Sequence, residues 1–344
     1  MTLRDGKPDM VAKDMAERET KTAGSARLPA LAKRLGGRLE IRMLALAIVI
    51  AAVLSFLSPY FLTPNNLYNL LNQSVVVGIV AIGMTFVILT GGIDLSVGSI
   101  AGLTGIVFGL AAEQFGLPIS VALAILSGAA IGLVSGVLIA NFGLAAFVVT
   151  LGVMSIGRSL CYIVSGGISI STIPEAMSDF VYLTVLFVPM NVTVLLVLYV
   201  LAFLYLGHTK GGRTIYAIGS NREAARTAGL NVVAYSILPY VVSGALSAVA
   251  AVLLAGQILS VDPLAGNLLE LDAIAAVVIG GASLFGGRGS IIGTLIGVFI
   301  MVMIRNGLNL MGVSPFWQGT AIGTIIIAAV LVERLMSRRG AHVR

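Results

Sequence analysis

Few side chains in this sequence could do chemistry, and where they fall limits what that chemistry could be. Asp94 is the only carboxylate between Glu40 and Glu113, and it directly follows a glycine pair in Leu89-Thr90-Gly91-Gly92-Ile93-Asp94-Leu95-Ser96-Val97-Gly98-Ser99. An ionisable group within apolar sequence is costly to bury, which makes it a functional candidate. Three uses are open to it. It could cap the helix that follows by accepting that helix's free amides, with Gly91 and Gly92 ending the helix before it. It could hold a moving or gating turn together with Ser96 and Gly98, or it could pass a proton. Beside Asp94, the charged side chains in or next to apolar sequence are Arg158, Arg288 and Arg305, and none is backed by a carboxylate pair of the kind an ion-coupled carrier would need.

The remaining chemical inventory is short. Cys161 is the single cysteine, and both histidines, His208 and His342, fall in polar segments, so neither a disulfide framework nor an intramembrane metal site is expected. No G-x-S-x-G serine motif and no GxxxxGK[ST] phosphate loop occur. The chain is therefore not expected to be an enzyme, to bind a cofactor or to hydrolyse nucleotide itself.

The elements that must position these residues follow from composition. Of 344 residues, 58% are hydrophobic and 10% charged, with a mean hydropathy of +1.04, whereas a soluble domain carries about a quarter charged residues. Apolar runs recur near 43–61, 69–90, 95–112, 118–140, 144–164, 191–207, 234–256, 271–285, 290–307 and 316–333. That pattern predicts an all-α, polytopic integral membrane protein with about ten spans, because a bilayer core admits only backbone whose polar groups are satisfied internally. Two runs are short for a core of about 30 Å and are expected to be tilted, broken or partly re-entrant.

Residues 1–42 hold ten basic and six acidic residues with no apolar stripe, so they read as a disordered arm. No cleaved leader is expected, since the first apolar run starts at Met43 and is full length. The net charge of +6 is concentrated in this arm, in the loop over 208–234 and in the tail over 334–344. Such placement marks cytosolic segments and an even number of crossings rather than a nucleic-acid-binding face. Gly166–Met190 and Gln257–Asp272 carry acidic residues without Lys or Arg and fit the opposite side. The membrane domain is thus placed at 43–333.

Gly91-Gly92-Ile93-Asp94-Leu95-Ser96-Val97-Gly98 matches Gly280-Gly281-Ala282-Ser283-Leu284-Phe285-Gly286-Gly287 as GGxxLxxG, and Ser290-Ile291-Ile292-Gly293 then follows with two extra residues relative to Ser99-Ile100-Ala101-Gly102. With six crossings between the copies, the match suggests two parallel halves. Glycines four apart, as in Gly98/Gly102, Gly105/Gly109, Gly128/Gly132/Gly136, Gly293/Gly297 and Gly319/Gly323, predict grooves for close helix packing. In the 208–234 loop, Ser220 or Asn221 can cap a short helix over Arg222–Ala228, which Gly229 would stop. Ala224, Ala225 and Ala228 would give it a small-residue face flanked by Arg222 and Arg226, a docking element in prospect.

Four stretches carry a family resemblance: Leu89 to Ser99, Gly212-Arg213 to Gly229-Leu230-Asn231, Leu271-Asp272-Ala273-Ile274-Ala275-Ala276-Val277-Val278-Ile279-Gly280-Gly281, and Asn306-Gly307-Leu308-Asn309-Leu310-Met311-Gly312-Val313. The sequence resembles the permease subunits of bacterial ATP-binding-cassette importers for monosaccharides, of the ribose, xylose and fructose type, in the branched-chain/ribose permease family. The resemblance implies one half of an inner-membrane pore, commonly a homodimer, served by cytosolic ATPase subunits and a periplasmic sugar-binding protein, with both termini cytosolic. Asn221 to Gly229 resembles the coupling helix of such permeases, and Glu223-Ala224-Ala225 with Gly229 resembles their EAA loop. Coupling to the ATPases is accordingly expected at Asn221, Arg222, Glu223, Ala224, Ala225, Arg226 and Gly229. A monosaccharide needs a neutral path with scattered hydroxyl and amide partners, for which Asn72, Gln73, Ser74, Thr85 and Asn306 are candidates. Each of these could equally make an interhelical hydrogen bond.

Overall fold

The computed structural model describes residues 39–185, 187–314, 317–324, 327 and 331. The expected arm up to residue 38, the tail over 334–344 and eight of the eighteen residues of the run at 316–333 lie outside the described residues. In chain order the elements are α1 (Leu39–Leu57), α2 (Pro64–Leu89), α3 (Val97–Phe115), α4 (Leu117–Phe142), α5 (Ala146–Ser165), α6 (Glu175–Tyr182), β1 (Thr184–Val185), β2 (Val188–Pro189), α7 (Met190–His208), α8 (Lys210–Ser220), α9 (Arg222–Thr227), α10 (Val232–Ile258), α11 (Leu269–Ile279) and α12 (Ile291–Leu310). Strands β1 and β2 form a two-stranded antiparallel hairpin.

Among the described residues, 8 helices are long and apolar enough to cross a membrane: α1 to α5, α7, α10 and α12. They account for eight of the ten expected runs. The first helix starts at Leu39, inside the expected arm, and ends at Leu57 rather than near residue 61. Downstream, Pro64 opens α2, and the Thr63 hydroxyl caps it by accepting the Asn66 N–H; proline lacks the N–H a helix interior needs but fits its first turn. Helices α2, α3 and α10 form the interior, whereas α1, α4, α5 and α7 turn large apolar side chains such as Phe56, Leu126, Ile163 and Val200 outward, as lipid-facing helices do.

Packing between α4 and α10 follows the glycine spacing. A Cβ on Gly128 would meet the Gly244 carbonyl and one on Gly132 the Tyr240 carbonyl, so the two backbones touch where side chains are absent. The glycines of α3 do something different from the expected helix–helix groove. Gly98 and Gly102 face the carbonyls of Gly266 and Ala265, and Gly105 faces Val261. Their neighbour is a non-helical stretch, 259–268, that runs inward along α3. Among the described residues, nothing lies within 4 Å of a Cβ placed on Gly319 or Gly323.

The eighth expected run is thereby only partly helical. Its helix is α11, whose 11 residues span about 16 Å, half of a bilayer core. The stretch leading into it is irregular backbone with Leu259, Gly266 and Leu268 at positive φ. Backbone of this kind is tolerated at membrane depth only where protein groups satisfy it. Arg158 on α5 does so, donating to the carbonyls of Pro263 at 2.8 Å and Ala265 at 3.0 Å. The mutual bonds of Ile170 and Val261, 2.9 Å each, pin the start of the stretch. Replacing Arg158 by Met is expected to leave two carbonyls without a donor, at about 1–3 kcal/mol each. The thermal midpoint of the purified full chain in detergent should fall, while a Lys replacement, which keeps a donor, should restore part of the loss.

Candidate functional site

Three places gather the polar and strained residues, and all are tied to the ends of buried helices. The first is the polar segment between α7 and α10. Thr209 caps α8 by accepting the Gly212 N–H at 3.0 Å, Asn221 caps α9 by accepting the Ala224 N–H at 2.9 Å, and Asn231 caps α10 by accepting the Ala234 N–H at 3.1 Å. Gly229, at φ +77°, ends α9 as expected of a left-handed stop, with its own N–H on Arg226 and that of Leu230 on Ala225. The face of α9 differs from the expected alanine stripe. Ala225 points inward and packs with Ile218 and Val232, while Ala224 and Ala228 are exposed with Arg222, Glu223 and Arg226. Ala225 is the one buried residue of this six-residue helix, which is anchored there and presents charge elsewhere.

The second place is where α8 meets the ends of α2 and α11. Both helices terminate in the same reciprocal bonding: Gly91 N–H to Ile88 and Gly92 N–H to Val87 in one, Gly281 N–H to Val278 and Ala282 N–H to Val277 in the other. Gly91 and Gly281 take φ +81° and +91°. The GGxxLxxG alignment is therefore one residue out at the helix ends, since Gly91 corresponds to Gly281 rather than to Gly280. The connectors also differ by four residues, 90–96 against 280–290, and not by two. The two turns touch. Gly287 N–H donates to the Leu89 carbonyl at 2.9 Å, and a Cβ on Gly219 of α8 would run into that carbonyl and lie 2.5 Å from the Gly287 nitrogen. The Tyr216 hydroxyl adds a bond to the Gly289 carbonyl at 3.0 Å.

Beyond the first turn lies Asp94, with 1% of its surface exposed. Its Oδ1 accepts the Ser96 N–H at 3.0 Å and the Ser96 hydroxyl, and its Oδ2 accepts the Ser243 hydroxyl of α10 at 2.8 Å. Ser96, not Asp94, occupies the cap position of α3, and its side chain makes no capping bond. The carboxylate thus takes a single amide and ties the turn to α10. Ser243 is eleven residues into α10, about 16 Å along the helix, so the tie is deep. Gly92 sits against the Tyr240 hydroxyl and Gly98 against Gly266, while Gly280 packs on Gly293 of α12.

The third place is a cleft of about 400 Å³ between the N-terminal part of α2, the C-terminal parts of α10 and α12, and the stretch that leads into α11. Asn72 and Gln73 line it, as do Gln257, Asn267, Asp272 and Arg305. Asp272, read from sequence as belonging to an outer loop, is instead buried on α11 and paired with Arg305 of α12, Nη2 to Oδ1 2.8 Å. The other three candidates for a polar path are elsewhere. Ser74 bonds its own helix at Leu70, Thr85 bonds Thr294 at 2.8 Å, and Asn306 exchanges two side-chain bonds with Asn66 at 2.9 and 3.0 Å. These are bonds between or within helices.

The family described as "Branched-chain amino acid transport system / permease component" matches residues 66–331. The chain belongs to this permease family. The ribose import permease protein RbsC of Escherichia coli (strain K12) is 43% identical over 303 residues, which is 86% of this chain and 94% of the relative. RbsC of Bacillus subtilis (strain 168) is 40% identical over 292 residues, 84% of this chain and 91% of the relative. The D-allose transport system permease protein AlsC of Escherichia coli (strain K12) is 35% identical over 293 residues, 84% of this chain and 90% of the relative. No solved structure matches the chain.

In this permease the groups that an ion-coupled carrier would use are all engaged or exposed. Asp94 faces hydroxyls and an amide, Arg158 faces carbonyls, Arg305 faces Asp272, and Arg288 is exposed in the connector after α11. Sequence reasoning missed Gly219, Gly286 and Gly287 as a junction, and missed Gln257 and Asp272 as cleft residues. The repeated helix-ending glycines were the only signal for the junction. Nothing local pairs Asp272 with Arg305.

Proposed function

We propose that this permease is the membrane-spanning subunit of an ATP-binding-cassette importer, moving a monosaccharide into the cytosol with energy from separate ATPase subunits. A periplasmic binding protein delivers the sugar, two copies of the chain enclose the path, and both termini lie in the cytosol of an inner-membrane protein. The substrate class comes from relatives named for ribose and allose, 35 to 43% identical over more than four fifths of the chain. One observation carries the mechanism: the exposed charged helix α9 continues through α8 into Gly219, where the ends of α2 and α11 meet.

On this reading α9 is the handle. Closure of the ATPase pair moves α9 as a rigid body, α8 passes the displacement to the Leu89 and Gly287 turns, and the Asp94 to Ser243 bond carries it into α10. Asn221, Arg222, Glu223, Ala224 and Arg226 meet the ATPase, Ala225 and Gly229 keep the helix in place, and the turns at Gly91, Gly92, Ser96, Gly98, Gly280 and Gly281 move. Asn72 and Gln73 line the outer part of the path, whereas Thr85 and Asn306 hold helices together and Ser74 bonds within its own helix. No step of nucleotide chemistry belongs to this chain.

Proteoliposomes holding the permease with its ATPases and binding protein test the reading. Uptake of D-ribose or a related aldose should require ATP and persist with a proton uncoupler; uptake driven by an ion gradient alone would refute it. In the same vesicles, Glu223→Lys and Gly229→Val should cut uptake at least tenfold while ATP hydrolysis continues. Valine at Gly229 must enter left-handed backbone at about 1–2 kcal/mol, which is enough to unseat a six-residue helix.

A further inference from the structure

Resting on the reading of this chain as a sugar permease, we propose that the outer cleft is a binding site of the permease itself, where Gln73, Gln257, Asp272 and Arg305 hold one cyclic polyhydroxylated molecule in transit. The cleft's volume, about 400 Å³, falls in the range of small-molecule sites, which combine apolar walls with a few placed polar groups. Val76, Leu254 and Val302 supply apolar wall for the C–H faces of a sugar ring.

The polar groups divide into engaged and unengaged. Asn72 accepts from Asn191 at 2.7 Å and donates to the Tyr68 carbonyl, and Asn309 accepts from Gln318 at 2.6 Å, so both are occupied with holding the fold. Gln257 is the opposite case. Its Nε2 is buried and has no hydrogen-bond partner, a state that native proteins rarely leave unexplained. Gln73 stands at the exposed rim with no side-chain bond among the described residues. Arg305 is 36% exposed on its side chain and gives one of its five N–H groups to Asp272, whose Oδ2 accepts no hydrogen bond among the described residues. Together these provide amide donors and acceptors, guanidinium donors and one carboxylate oxygen around a single cavity, the set that vicinal hydroxyls match.

The ion pair also selects between neutral and zwitterionic cargo. Asp272 and Arg305 are closed on each other at 2.8 Å, so the cleft sees a neutral, hydrogen-bonding pair. A free amino acid would have to pull the two charges apart to use them, and breaking a largely buried pair is strongly unfavourable. A sugar bridges them as they stand.

The permease with its ATPase subunits, in lipid nanodiscs and without binding protein, is titrated with tritiated D-ribose. Gln257→Leu and Gln73→Leu should each weaken binding at least fivefold, and L-leucine should not displace the sugar. Gln257→Leu removes an orphaned donor, so its thermal midpoint should not fall; Gln73→Leu lies on an exposed rim and tests the same claim if the buried variant fails to assemble. Unchanged affinity in both variants, or displacement by L-leucine, overturns the proposal. A wild-type complex that imports aldoses with ATP while both variants bind normally sinks only the cleft; a wild-type complex that imports none with ATP sinks the permease reading beneath it.

Discussion

Replacing Gly219 by alanine is expected to abolish uptake and to lower the yield of folded permease. The new Cβ would run into the Leu89 carbonyl oxygen and sit 2.5 Å from the Gly287 nitrogen. Both obstacles are backbone, so no rotamer change relieves the clash. They are also partners, joined by the 2.9 Å bond that ties the end of α2 to the connector after α11. Either α8 retreats from the junction or that bond breaks. Overpacking costs about 1–3 kcal/mol, and an orphaned buried donor or acceptor costs about as much again. Gly207→Ala is the control: it too is helical, yet nothing lies within 4 Å of its added methyl. Thermal midpoint and ATP-driven uptake should both drop sharply for Gly219→Ala and stay near wild type for Gly207→Ala. Equal behaviour of the two variants would remove the junction from the mechanism.

The contrast between those glycines shows what the sequence could and could not tell. Hydropathy located the long spans because a helix that crosses lipid must be apolar throughout, and the Asn221 cap and Gly229 stop of α9 were legible because capping is local chemistry. The irregular stretch before α11 was not. Residues 259–268 include Asp262, Pro263, Gly266 and Asn267, which by composition belong in an outer loop. They enter the bundle because Arg158, 105 residues away from Pro263, satisfies their carbonyls. A window of twenty residues carries no record of such a partner. The same holds for Asp272 and Arg305, and for Asn66 and Asn306, whose side-chain bonds join positions 240 residues apart. Spacing identified Gly98 and Gly102 as close-packing sites correctly, but whether helix or irregular backbone fills a glycine face depends on the tertiary fold. Of the three alanines, Ala225 alone turns to Ile218 and Val232, while Ala224 and Ala228 stay exposed, a division that spacing along six residues does not show.

Asp94 is where the sequence left three roles open, and three substitutions separate them. Among the described residues the carboxylate forms no ion pair; it accepts from the Ser96 amide, the Ser96 hydroxyl and the Ser243 hydroxyl. Asparagine can keep this arrangement. Its Oδ1 accepts from Ser96, and Ser243, whose hydroxyl both donates and accepts, can turn to receive the amide N–H. Leucine cannot, and it leaves three donors facing an apolar side chain at about 1–3 kcal/mol each. If Asp94 ties the turn to α10, Asp94→Asn should retain at least half of ATP-driven uptake, while Asp94→Leu should lose tenfold or more together with thermal stability. Proton transfer predicts otherwise, because an amide cannot take up and release a proton in this range and Asp94→Asn would then be as inactive as Asp94→Leu while still folding. Capping alone predicts a third pattern, in which Asp94→Leu is destabilised in proportion to one lost amide bond and Ser243→Ala is silent. The Ser243 bond makes that pattern the least compatible with the structure, since the turn's only side-chain tie to α10 at this carboxylate would then do nothing. Uptake and thermal midpoint measured on Asp94→Asn, Asp94→Leu and Ser243→Ala in one preparation decide among the three.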